Sequence, residues 1–138
     1  MPKRLADDRP IDTSAIYAVF DRDDANHPRA RAAWERLLQD PGTLLTTNYV
    51  LVEASALLQN RLGFAALRAF HDDVVPLLVV EWITETVHRS AATSLLTASR
   101  RNLSLVDCVS FQVMRAMSVE SAFCFDRYFR EQGFLTIP

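Results

Sequence analysis

The feature that most constrains this chain is an alternation: from Asp12 onward, short apolar runs take turns with longer segments of helical period. Strands separated by helix-length connections pair in parallel, because an antiparallel hairpin needs only a short turn while a parallel crossover needs a dozen residues or more. The expected fold class is therefore α/β, a three-layer α/β/α sandwich of Rossmann-like type around a small, mostly parallel sheet. Strands are expected at 43–46, 77–80, 121–125 and 133–137. The second of these is continuously apolar, as suits a strand buried on both faces, and the last reads as an edge. Helices are expected over 13–20, from His27-Pro28 to the stop at Pro41-Gly42, over 48–62 with Asn48 as cap and Gly63 as breaker, over 64–75 ended by Pro76, and over 85–100 and 105–117. Phe64, Leu67 and Phe70 share a helical face and read as core. Residues 1–9 read as an N-terminal tail and 10–138 as one domain, since only three glycines are present and no linker or repeat marks a boundary.

Composition removes several classes of function. The longest apolar stretch, 74–80, contains Pro76 and is far shorter than the roughly 18 residues a membrane span needs. The first ten residues carry basic side chains with no apolar segment after them, so no secretory signal is expected. Two cysteines, Cys108 and Cys124, are too few for a disulfide framework, and a cytoplasmic protein is expected. Three scattered histidines and two cysteines do not give the spacing of a zinc site, so any bound metal must be held by oxygen. The formal net charge of -2 provides no global attraction for nucleic acid, which would need a local basic surface or a bridging cation.

Four acids sit where acids are costly. Glu53 lies within Tyr49-Val50-Leu51-Val52-Glu53-Ala54-Ser55-Ala56-Leu57-Leu58, beside the buried stripe at any helical phase. Asp107 follows Ser104 at the spacing of a capping box. Asp126 directly follows the apolar run 122–125, and Asp12 precedes a helix as a strand-to-helix cap. Taken singly, each is explained as well by capping or by a reach to water as by chemistry. In an open parallel sheet, however, residues just past the carboxyl ends of the strands converge on one crevice at the point where strand order reverses. Four carboxylates meeting there would repel one another unless a hard divalent cation sat among them.

At these residues the sequence resembles the PIN-domain nucleases, and among them the VapC-type toxins of bacterial toxin–antitoxin pairs. The resemblance is carried by Asp-Thr-Ser-Ala at 12–15, Val-Leu-Val-Glu-Ala at 50–54, Leu-Ser-Leu-Val-Asp-Cys-Val-Ser-Phe at 103–111, and Phe-Asp-Arg-Tyr-Phe at 125–129 with Gly133-Phe134. It runs from Asp12 nearly to the end of the chain. It implies a PIN-like fold, a metal and catalytic site of Asp12, Glu53, Asp107 and Asp126 holding one or two Mg²⁺ or Mn²⁺ ions, and an endoribonuclease (a hydrolase of RNA phosphodiester bonds). Ser14 matches the family's small polar residue two positions after the first acid, which implies a role in orienting ligand or substrate. The resemblance further implies a homodimer neutralised by a cognate antitoxin. Three features depart from the family. Asp7-Asp8-Arg9-Pro10-Ile11 stands where relatives carry several apolar residues of a central first strand, in which Pro10 cannot donate to a ladder. Cys124 stands where they often carry Thr or Ser, and Tyr128 where they often carry His.

Of the fifteen basic residues fourteen are arginine, the side chain best suited to bidentate phosphate recognition and base stacking. Arg22, Arg127 and Arg130 are the candidates for RNA contact near the crevice. Two other readings stand beside the nuclease: a catalytically degenerate PIN module that binds RNA or protein, and a different oxygen-liganded phosphotransfer enzyme. Against the latter, the sequence has no glycine-rich phosphate loop.

Overall fold

The computed structural model describes residues 7–138. Five short parallel strands, β1 (Asp8–Pro10), β2 (Thr43–Thr47), β3 (Val79–Glu81), β4 (Ser121–Phe123) and β5 (Leu135–Ile137), stand in the order β3-β2-β1-β4-β5. The two halves of this sheet meet at the bridge between Ile11 and Phe123. Helices α1 (Thr13–Phe20) and α2 (His27–Gln39) link β1 to β2, α3 (Asn48–Leu62) and α4 (Phe64–Ala69) lead toward β3, α5 (Glu85–Ala98) and α6 (Leu105–Ala116) return to β4, and α7 (Arg127–Glu131) leads to β5.

Right-handed crossovers turn this strand order into layers. The chain steps outward from β1 to β3, crosses back to β4 and steps outward again, so the first helices cover one face and the later ones the other. Side chains divide accordingly. Ile11, Leu44 and Phe123 pack with Ala15, Ile16, Ala33, Val50 and Leu58 on the face of α1–α3. Ala122 and Cys124 pack with Val109, Phe111, Met114 and Phe129 on the face of α5–α7. The alternation Ala122, Phe123, Cys124 between the two clusters is the period-two geometry of a strand buried on both sides.

The first strand begins before the boundary expected from sequence. Asp8 and Arg9, assigned to the tail, belong to β1 and pair with Thr43 and Leu44 of β2; residues 1–6 lie outside the described part. Pro10 is tolerated in this inner strand because of where its missing N–H falls. Ile11 donates its N–H to Leu45 on the β2 side and Asp12 donates to Phe123 on the β4 side. Alternation then aims the Pro10 nitrogen at β4, where pairing is confined to the single Ile11 bridge. Gly42 is required next to this strand, since a Cβ there would lie 2.2 Å from the Asp7 carbonyl oxygen.

Three other expectations are corrected. β3 is an outer strand with Val79 54% exposed, not a strand covered on both faces: it has only β2 beside it, and Leu78 alone turns into the core. The helix expected over 64–75 is broken into α4, a π-helical turn at Phe70–Val74 and a 3₁₀ turn at Val75–Leu77. Pro76 cannot donate to a continuing α-helix, and the wider turn keeps Phe70 fully buried while Phe64 is left 60% exposed. The cap of α3 is Thr47, whose Oγ1 accepts from Val50 N–H, while the Asn48 side chain accepts from Ile83 N–H and ties α3 to the segment after β3.

Candidate metal centre

β1 and β4 are adjacent, parallel and followed by connections that leave in opposite directions, which makes the gap beyond their carboxyl ends the topological switch point. Asp12 sits directly after β1 as the N-cap of α1, and Asp126 sits beyond β4 as the N-cap of α7. Asp107, in the first turn of α6, enters from the opposite layer. One carboxylate oxygen from each of the three lies within 4.8 Å of the others. Capping and convergence are thus the same fact. A strand-to-helix turn places the capping carboxylate at the carboxyl edge of the sheet, and each of the three acids accepts a backbone N–H at its helix start.

The hydrogen bonds show how each acid is held. Asp12 Oδ2 accepts from Ser14 N–H at 3.2 Å and from Ser14 Oγ at 2.7 Å. Ser14 Oγ in turn accepts from Phe125 N–H at 3.0 Å, clamping the start of α1 to the segment that carries Asp126. Asp107 and Ser104 form a reciprocal capping box, with Ser104 N–H donating to Asp107 Oδ2 and Asp107 N–H donating to Ser104 Oγ. Asp126 Oδ1 accepts from Tyr128 N–H at 2.9 Å. Asp12 Oδ1 is buried with no hydrogen-bond partner among the described residues.

Electrostatics follow from this geometry. Burial pushes the Asp12 carboxyl up to about 6, opposed by the Ser14 hydroxyl and N–H and reinforced by the charges of Asp126 and Glu53. Burial again comes first for Asp107, pushed up to about 7 with the charges of Asp12 and Asp126 adding to the effect. Glu53 lies on α3 within electrostatic reach of Asp12 but outside the tight cluster; it is half-buried beside the buried Ala54. The Cys124 thiol is pushed up to about 12, chiefly by burial, and is neutral.

The donor set fits a hard divalent cation. Three oxygen ligands converge from three elements, one buried oxygen has no partner among the described residues, and two of the acids are held above their ordinary range first by burial and then by neighbouring carboxylates, both of which a dication would offset.

The basic residues expected near the crevice separate into two groups. Arg127 and Arg130 line a pocket of about 220 Å³ that shares Asp126 with the acidic cluster, whereas Arg22 lies exposed in the turn after α1 and is not part of its wall. Arg29 also lines this pocket, as does Asn26. Sequence reasoning missed both, because helical period assigns Arg29 only to the solvent side of α2. The His27-Pro28 start of that helix was the available signal that residues 26–29 sit at a loop end facing the crevice.

Comparison with known proteins agrees with this architecture. Residues 11–135 match the PIN domain model, and the chain belongs to the PIN-domain family. Within it, the chain is similar to the VapC-type toxins. It is 33% identical over 128 residues to the 23S rRNA-specific endonuclease VapC20 of Mycobacterium tuberculosis, in two strains, an alignment covering 92% of this chain and 95% of the relative. The crystal structure of M. tuberculosis VapC20, a sarcin–ricin loop cleaving toxin, matches with a TM-score of 0.81 at 31% identity over 91% of this chain and 95% of that one. FitAcB from Neisseria gonorrhoeae matches with a TM-score of 0.66 at 13% identity over 94% and 96%, a likeness of fold.

Proposed function

We propose that this PIN-domain protein is an endoribonuclease, the toxin of a toxin–antitoxin pair, with Asp12, Asp107 and Asp126 holding Mg²⁺ or Mn²⁺ and Glu53 assisting from α3. The observation that carries this reading is the convergence of three carboxylates from separate elements at the switch point, one with a buried oxygen that has no hydrogen-bond partner among the described residues. One or two divalent ions held there would supply water activation and charge stabilisation on a phosphodiester. The chain's own residues supply the rest. Ser14 fixes the rotamer of Asp12 and, through Phe125 N–H, its distance from the loop of Asp126. The capping box fixes Asp107. Glu53, half-buried and outside the tight cluster, would orient the attacking water or help hold a second ion. Hydrolysis by water leaves a 5′-phosphate and a 3′-hydroxyl, unlike attack by the RNA 2′-hydroxyl.

The partners on this reading are RNA, a cognate antitoxin and a second copy of the chain. Exposed Val52, Phe64, Leu77 and Trp82 provide apolar area of the kind protein contacts use. Among the described residues no helix is long and apolar enough to cross a membrane, and ribosomal RNA as substrate would put the protein in the cytoplasm.

The test is incubation of purified protein with total bacterial RNA, and with a hairpin carrying the sarcin–ricin loop, in Mn²⁺ or in EDTA. Cleavage in Mn²⁺ with 5′-phosphate ends, lost in EDTA and in Asp107→Asn, is the expected result. Equal cleavage in EDTA would exclude the metal scheme. Metal-dependent folding with no cleavage of any RNA would favour the degenerate binding module.

A further inference from the structure

Asp126 faces two spaces: the acidic cluster and the adjoining pocket of about 220 Å³. The two differ sharply in charge. The pocket wall brings together Arg29 from α2 with Arg127 and Arg130 from α7, three guanidinium groups against one acidic side chain, Asp126, with Pro138, the last residue of the sequence, also in the wall. None of the three forms an ion pair with a carboxylate among the described residues; the ion pairs there join Arg31 to Glu35, Arg89 to Glu85 and Arg100 to Glu131.

The arginines are instead placed by uncharged neighbours. Arg29 lies 5.6 Å above the Phe125 ring and Arg127 lies 5.3 Å above the Tyr128 ring. Arg130 donates from both Nε and Nη2 to Thr136 Oγ1, at 3.0 and 2.9 Å. Aromatic faces and a hydroxyl orient a guanidinium without neutralising it, so its charge and remaining N–H groups stay available to an anion. Cys124, in the same wall, is a neutral thiol and adds no negative charge.

A protein with net charge -2 and an acidic centre needs local compensation to draw in a polyanion. From this arrangement we infer that the pocket of Arg29, Arg127 and Arg130 is a phosphate subsite. It grips the backbone phosphate of the nucleotide next to the bond that is cut and fixes the register of the strand across the acidic cluster. The inference rests on the nuclease reading above and deepens it: the substrate must carry a charged phosphate on that side of the cut, so a bond at the very end of a strand is a poor substrate. Arg29 and Arg127 are positioning residues here, and Arg22 is outside the subsite.

The experiment uses steady-state cleavage of whichever RNA the wild type cuts in Mn²⁺, comparing wild type, Arg29→Ala/Arg127→Ala and Arg29→Lys/Arg127→Lys. Both residues are exposed, so thermal unfolding verifies that the variants keep the fold. The alanine pair should raise KM about 10-fold with kcat nearly unchanged, and the slope of log(kcat/KM) against log salt should shrink by roughly 0.7, the value for one phosphate on a single strand. The lysine pair should keep the salt slope but recover KM only partly, since a point charge cannot bind bidentately. A neutral methylphosphonate next to the cut bond should impair wild type about 10-fold and the alanine pair no further. Unchanged KM and salt slope in the alanine pair, with wild type still cutting RNA, would overturn the subsite and leave the nuclease intact. A wild type that cuts no RNA would overturn the nuclease reading and the subsite with it.

Discussion

β1 and β3 are equal in length and both pair in parallel with β2, yet they occupy the places their compositions argue against. β1, Asp-Arg-Pro, lies inside the sheet, while β3, Val-Val-Glu, lies at its edge with Val79 half in water. The contrast shows that an inner position in a short parallel sheet is set by the residues just past the strand as well as by the strand's own side chains. Ile11 and Asp12 bond to both neighbours and deliver a carboxylate to the switch point. β3 delivers no acid to the cluster, and the chain after it turns away through Ile83, which is tied back to Asn48.

The sharpest way to break this comparison is to weaken the seam. Phe123 is fully buried where β1 meets β4, and Phe123→Ala should cost about 3–5 kcal/mol in urea unfolding. A loss below about 1 kcal/mol would mean the seam contributes no more than the edge.

The second prediction concerns pH. The Asp12 and Asp107 carboxyls ionise at about 6 and about 7 in the folded protein, against 3.8 ordinarily. The fold therefore binds protons more tightly than the unfolded chain. Stability in EDTA is full below about pH 4 and is lost as pH rises through 6 to 7. For Asp12 alone the loss is roughly 3 kcal/mol. Thermal unfolding in EDTA should shift downward between about pH 5 and pH 8, and Mn²⁺ at the upper pH should recover most of the shift. A flat profile, or no response to Mn²⁺, counts against a repulsive cluster awaiting a cation.

Asp107→Asn comes next. Activity should fall more than about 100-fold, beyond the 10–100-fold typical of residues one layer away from a metal. At about pH 8 in EDTA the same variant should unfold at a higher temperature than wild type, because it removes a charge that its neighbours oppose. Ser14→Ala should be milder, costing roughly 10-fold in kcat and about 1–2 kcal/mol, since it cuts both the bond to Asp12 and the acceptor of Phe125 N–H. Val79→Ala, at the exposed edge, should stay within about 0.5 kcal/mol of wild type with full activity.

Much of this was legible because caps and sites coincide. Asp12, Asp107 and Asp126 each stand at a helix start that sequence marks by an acid beside an apolar run, and parallel topology carries those starts to one end of the sheet. Glu53 was legible only as an acid out of place, because its distance from the cluster depends on how α3 leaves β2. β1 was obscured by Pro10 and its charges, whose acceptability depends on which neighbour each backbone N–H faces. Arg29 was obscured for a related reason: a helix-face pattern separates inside from outside but cannot tell solvent from a cleft.

The tie from Ser14 to Phe125 spans most of the polypeptide, and the acidic cluster spans as much. A chain still being synthesised holds Asp12 and Asp107 before it holds Asp126, and until then it lacks the loop that completes their arrangement. Assembly of the cluster is therefore a late event, because it requires segments from near both ends of the described chain to be folded together.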